Sequence, residues 1–248
     1  MKRYLMVASM LVGALAGRAV SVESGYVAAD VHRGELALSF GLQTIIEGLS
    51  FYTADKDWRA VFPKTSSDGY ETTVSGTVIT ARAKANPTLK VEQVFTITAD
   101  GFHADITAQV LPNSGAYYAV CDMFIGKPVF ANASVRREGQ PALALDPVKW
   151  TTIDVDRVTL GTADGDWTFT LSSSGPAKWV LRSVCDRTWG ADEKKTFTFL
   201  NSAERVPAEG LTETLTIEAR FVPRAGFLAA LDSQFSTRAA SCLRAQLG

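Results

Sequence analysis

From Tyr26 to Phe221 the chain is a succession of short segments rich in Val, Ile, Thr and aromatic residues. Apolar and polar positions alternate within them, and Gly, Asp, Asn or Pro mark the breaks. Side chains of an extended strand leave alternate faces, so a run of period two buries its apolar set only as a strand with one face covered. Strands are expected at Glu35–Phe40, Thr44–Tyr52, Glu71–Val74, Val78–Ala83, Leu89–Thr98, Phe102–Leu111 and Tyr117–Phe124. Further strands are expected at Val148–Ile153, Arg157–Thr162, Trp167–Leu171, Lys178–Val184, Lys195–Phe199 and Glu213–Phe221. A single open sheet of that size would leave too much apolar face in water. The expected architecture is therefore all-β, a large two-sheet antiparallel β-sandwich over residues 24–222.

Two Asp-Gly pairs set hairpin registers, because a two-residue turn of that composition supplies positive φ at both central positions. In "KVEQVFTITADGFHADITAQV" a turn at Asp100-Gly101 places Ala99 opposite Phe102, Ile97 opposite Ala104 and Phe95 opposite Ile106. Thr98 and His103, then Thr96 and Asp105, then face each other on the polar side. In "RVTLGTADGDWTFTL" a turn at Asp164-Gly165 pairs Thr162 with Trp167, Leu160 with Phe169 and Val158 with Leu171. The words "TADKDW", "TADGFH" and "TADGDW" recur at unequal spacing, which is reused turn chemistry and not a solenoid or propeller repeat.

The two ends differ from this body. Lys2 and Arg3 precede an uncharged apolar run from Tyr4 to Ala16 and then small residues, the pattern of a secretory signal over residues 1–19. Cleavage after Ala16, Ala19 or Ser21 suits it, and the run is well short of the roughly 20 residues that span a bilayer. A secreted or periplasmic protein is expected, with no membrane span once the signal is removed. Removal takes three of the 25 basic residues and none of the 26 acidic ones, leaving 22 against 26. That balance, without a clustered basic stripe, argues against a nucleic-acid partner. After Pro223, in residues 223–248, Leu228, Leu231, Phe235, Ala239 and Cys242 recur at helical spacing, so a short amphipathic C-terminal helix is expected. Of Cys121, Cys185 and Cys242, the first two lie in strand-like runs and form the preferred disulfide pair.

Candidate chemistry is sparse. No P-loop, dinucleotide fingerprint or G-x-S-x-G occurs, and Cys/His metal spacing is absent, so neither a cofactor nor a metal is expected. His103 and Asp105, two apart on a strand, leave one face with origins roughly 6.5–7 Å apart, a separation that suits two groups acting on one ligand. The same pair is also what an ordinary wet strand face carries. In "TLTIEARF", Leu215, Ile217, Ala219 and Phe221 point one way and Thr216, Glu218 and Arg220 the other. Glu218 serves as a general base only if its face meets that of His103; otherwise a cross-strand ion pair explains it. His32, before a strand, is a weaker candidate. The segment from Trp179 to Leu200 crowds Trp179, Arg182, Asp186, Arg187, Trp189, Asp192 and Glu193 near a turn. With Trp58, these supply the aromatic plates and charged partners of a sugar site, or else core and edge-capping tryptophans.

The stretches "VEQVFTITADGFHADITAQVLPNSG" and "CDRTWGADEKKTFTF" resemble the β-supersandwich domains of the galactose mutarotase-like superfamily. The resemblance covers roughly Ser24 to Phe221. It implies a fold found in aldose epimerases and in accessory domains of polysaccharide-degrading enzymes. In those epimerases a histidine acid and a glutamate base act on a concave face, which here points to His103 and Glu218. "GFHADIT" departs from the aromatic- and asparagine-containing motif around their histidine. The leading expectation is an exported carbohydrate-binding or carbohydrate-processing accessory β-sandwich, with Asp105, Trp58, Arg187, Trp189 and Asp192 as ligand contacts. Its competitors are a mutarotase-like or glycan-cleaving enzyme using His103 with an acidic residue, and a structural or cell-surface interaction module.

Overall fold

The structure is a computed structural model that describes residues 19–41, 43–57, 59, 69–84, 88–126, 134–137, 141, 143–144, 151–153, 157–161, 167–174, 180–185, 194–200 and 205–234. Its strands are β1 (Val20–Ser24), β2 (Val27–His32), β3 (Glu35–Phe40), β4 (Gln43–Ala54), β5 (Tyr70–Ser75), β6 (Val78–Ala83), β7 (Leu89–Thr98), β8 (Gly101–Val110) and β9 (Tyr118–Gly126). They continue as β10 (Ser134–Arg137), β11 (Leu143–Ala144), β12 (Thr151–Ile153), β13 (Arg157–Gly161), β14 (Trp167–Ser174), β15 (Val180–Cys185), β16 (Lys194–Leu200) and β17 (Leu211–Pro223). Helix α1 spans residues 227–234. Among the described residues the strands form two antiparallel sheets. The first, of eight strands, runs β1-β2-β3-β4-β9-β16-β15-β12; the second, of nine, runs β11-β10-β13-β14-β17-β8-β7-β6-β5.

Alternation decides which side of each strand is covered. In β17, Leu215, Ile217, Ala219 and Phe221 are buried while Thr214, Glu218 and Arg220 are exposed. In β8 the buried set is Phe102, Ala104, Ile106, Ala108 and Val110. These faces meet Leu36, Leu38, Leu49, Phe51 and Cys121 of the first sheet in one core. Each fully buried Phe or Leu contributes about 1.5–3 kcal/mol by leaving water. Phe40 of β3 stacks on Phe221 of β17 with centroids 4.6 Å apart, tying the sheets together.

The second Asp-Gly hairpin has the expected register, with Val158 opposite Leu171 and Leu160 opposite Phe169. The first does not. Thr98, not Ala99, closes the turn and faces Gly101, so Ile97 lies opposite Phe102 and Phe95 opposite Ala104, a shift of two residues. Ala99, Asp100 and Gly101 all lack positive φ. Gly101 is instead a strand residue where β17 passes so close that a Cβ would overlap the Ala219 carbonyl oxygen. The Asp100 carboxylate accepts from Thr98 Oγ1 (3.0 Å) and Arg220 Nε (2.8 Å), and its carbonyl accepts from Phe221 N (2.6 Å). A two-residue shift keeps every side chain on its face, so the alternation could not exclude it. The turn with paired positive φ lies elsewhere, at Arg33 (54°) and Gly34 (79°) between β2 and β3.

The expected Cys121–Cys185 disulfide is also corrected. Cys121 is buried and forms no disulfide. β16 runs between β9 and β15, with Cys121 opposite Phe199 and Cys185 opposite Lys195. Two strand spacings alone are roughly 9.5 Å, beyond the Cα reach of a disulfide. Cys242 lies outside the described residues, as do Phe235 and Ala239. The helix docks on the sandwich: Leu231 is buried, Phe227 stacks near Phe40, and Tyr26 Oη donates to Asp232 Oδ1 at 2.7 Å. That bond first, then burial, pushes the Tyr26 phenol up. No helix among the described residues is long and apolar enough to cross a membrane.

Candidate functional site

β8 and β17 are adjacent in the second sheet, and their register sets Glu218 opposite His103 and Thr216 opposite Asp105. His103 Nε2 lies 3.0 Å from Asp105 Oδ2, and its Nδ1 lies 3.3 Å from Glu218 Oε1. Thr216 Oγ1 donates to the other Asp105 oxygen at 2.9 Å. The imidazole therefore stands between two carboxylates, one from its own strand and one from the next. Arg220, next along the same face of β17, pairs with Asp100 and not with Glu218. The cluster is wet: the side chains of His103, Asp105 and Glu218 are 37%, 53% and 66% exposed. Water screens such pairs to about 0–1 kcal/mol each. The aromatic rings Tyr70, Phe95, Phe102 and Phe221 of β5, β7, β8 and β17 are turned to the core, so beside the cluster this face carries Val94, opposite Asp105, with Thr, Gln and charged residues. Trp58, Arg187, Trp189 and Asp192 lie outside the described residues. His32 ends β2 opposite Glu35, away from this cluster.

Sequence reasoning missed a second group on the first sheet. Phe51 faces Cys121 and Leu49 faces Met123, all in the core, so the intervening Ser50, Tyr52 and Asp122 lie on the opposite face. Polar groups on an outer sheet face are ordinarily wet, yet Ser50 is 3% exposed and Asp122 7%. Val120, opposite Tyr52, is fully buried there too. The Tyr52 hydroxyl donates to Asp122 Oδ2 at 2.7 Å. Burial first, then the adjacent carboxylate, pushes the phenol well above its ordinary range, so it remains a donor. Ser50 Oγ is buried with no hydrogen-bond partner among the described residues; Thr53 Oγ1, on the core face, is the other such hydroxyl. The register continues from Asp122 to Thr198 on β16 and from Thr198 to Arg182 on β15. One local signal was available: "YAVCDMF" interrupts an apolar strand with a carboxylate, and buried carboxylates are rare unless bonded. Its partner, 70 residues away, was not legible.

Among the described residues no three or more His, Cys, Asp or Glu converge as metal ligands. Chemically, the exposed cluster is able to exchange protons with a ligand at an imidazole. The buried group offers a carboxylate acceptor and an unused hydroxyl.

No family model matches the sequence, and no curated protein does either. Solved structures do match. A putative aldose 1-epimerase from Escherichia coli K12 superposes with a TM-score of 0.59 at 12% identity, over 84% of this chain and 99% of its own. A galactose mutarotase-like protein from Lactobacillus casei superposes with a TM-score of 0.57 at 11% identity, over 83% of this chain and all of its own (100%). The chain thus has the β-sandwich fold of the galactose mutarotase-like proteins.

Proposed function

We propose that the protein binds carbohydrate on the outer face of the second sheet, around His103, Asp105 and Glu218. The carrying observation is an exposed imidazole between two carboxylates, with Nε2 3.0 Å from Asp105 Oδ2 and Nδ1 3.3 Å from Glu218 Oε1. Carboxylate oxygens accept from sugar hydroxyls, and on this face they are open to solvent. The names of the structures sharing the fold, an aldose 1-epimerase and a galactose mutarotase-like protein, support a sugar as the ligand. Calorimetric titration after a glycan-array screen tests the reading. Asp105→Ala is expected to weaken the best glycan at least tenfold with little change in melting temperature; unchanged affinity would sink the assignment.

A second reading, sugar turnover, is favoured by one observation: His103 Nδ1 lies 3.3 Å from the Glu218 carboxylate, an acid and a base in one place. Under that reading His103→Ala abolishes turnover of the sugar that the protein binds; retained turnover excludes it. We further infer export from the apolar run between Tyr4 and Ala16. Cleavage after Ala16 or Ala19 leaves every β1–β2 pair from Val20 onward intact, whereas cleavage after Ser21 removes two of them. Mass spectrometry of the exported protein should therefore find Gly17 or Val20, and not Val22, at its N-terminus.

A further inference from the structure

A cavity of about 460 Å³ opens at the end of the sandwich, between the turn after β4, the β8–β9 loop and the segment leading into β17. Its volume falls within the range of small-ligand sites. The three loops are tied to one another by backbone bonds: Tyr117 N donates to Ala54 O and Val206 N to Tyr117 O, both at 2.7 Å. The cavity is therefore preformed and needs little ordering when a ligand enters.

Its charge is one-sided. Lys56 and Arg205 line it together with a single carboxylate, Asp55. Asp55 Oδ1 already accepts the backbone N–H groups of Asp57 (2.8 Å) and Arg59 (2.9 Å), bonds that shape the turn presenting Lys56. Neither Lys56 nor Arg205 has an ion-pair partner among the described residues. The Arg205 guanidinium sits 5.6 Å from the centre of the Tyr117 ring, which holds it against the wall and leaves its N–H fork for an acceptor. Asn113 and Ser114 add neutral polar groups. The chain as a whole is slightly negative, at −1, so attraction of an anion here comes from the cavity and not from net charge.

We propose that this cavity binds the carboxylate of an acidic saccharide, with Arg205 forked onto the carboxylate, Lys56 supplying the second charge, and Asn113 and Ser114 meeting ring hydroxyls. The proposal rests on the carbohydrate reading above and narrows its ligand class to uronate-bearing glycans.

The test is calorimetric titration of the full chain with an oligouronate, with its carboxyl-reduced neutral counterpart, and with inorganic sulfate. The oligouronate is expected to bind at least tenfold more tightly than the neutral oligomer, and more weakly as salt rises. The double variant Lys56→Gln/Arg205→Gln is expected to bring the two within twofold; because both side chains are exposed, its melting temperature should match the native protein. Equal affinity of the two oligomers for the native protein overturns the acidic ligand and leaves carbohydrate binding standing. Sulfate binding as tight as oligouronate binding overturns it in favour of a simple anion site. A preference that persists in the double variant removes it from this cavity, and binding of no saccharide overturns both readings.

Discussion

A glutamine in the middle of an apolar strand face is costly unless both ends of its amide are bonded. Gln93, on the core face of β7, is fully buried; its Oε1 accepts from Phe51 N at 3.1 Å and its Nε2 donates to the Gly34 carbonyl at 2.7 Å. The β3–β4 pairing ends at Leu36 and Leu49, so Gln93 satisfies a backbone donor that β3 does not reach. Gln93→Leu keeps the volume but orphans both groups. It is expected to cost about 2–4 kcal/mol in urea unfolding with an unchanged slope. The alternation places Gln93 on the apolar face, but its partners are 42 and 59 residues away and the sequence does not name them. Glu213 is the charged counterpart, 4% exposed on the core side of β17, where burial raises its carboxyl pKa. A raised folded pKa means that the protonated form suits the fold. Its contribution is present below the unfolded carboxyl pKa and lost as pH rises through the folded one. Glu213→Gln should therefore raise the melting temperature at pH 8 and have little effect at pH 3.5; equal gains at both would remove the desolvation account.

Among the elements, the β8–β17 pair positions the exposed cluster and β4–β9 the buried one. The first depends on a close backbone approach. At Gly101 any side chain would meet the Ala219 carbonyl of β17. Gly101→Ala is expected to cost about 1–3 kcal/mol, the scale of overpacking. Loss of amide protection at Phe221, whose N–H bonds Asp100 O, should accompany it in hydrogen exchange. The element reading was strongest where alternation was unbroken: Glu35–Phe40, Val78–Ala83 and Leu89–Thr98 occur as expected. It passed over β1 and β2, which are short, and β10 and β11, shorter still. In VAADVH and SVRR, small or charged residues break up the apolar alternation, so these runs do not rise above a loop.

For the whole molecule, the core between the sheets encloses a thiol that reports on global opening. Cys121 is completely buried and outside any disulfide, so a maleimide should reach it only when the sheets part. Its labelling rate is expected to track unfolding measured by fluorescence across a urea series; rapid labelling in native buffer would mean that the sandwich opens locally at β9. The sequence by itself determined the strand-rich fold and the face each residue occupies in the long strands, because period-two alternation is local and a one-residue slip exposes the whole apolar set. It also determined the register of the β13–β14 hairpin. Only the tertiary structure decided the two-residue shift at the β7–β8 turn, since that shift preserves the faces and is selected by β17 packing on Gly101. It alone brought Glu218 to His103 and Tyr52 to Asp122. Neighbours across strands distant in sequence are chosen by the order of strands in the sheets, which no local pattern encodes.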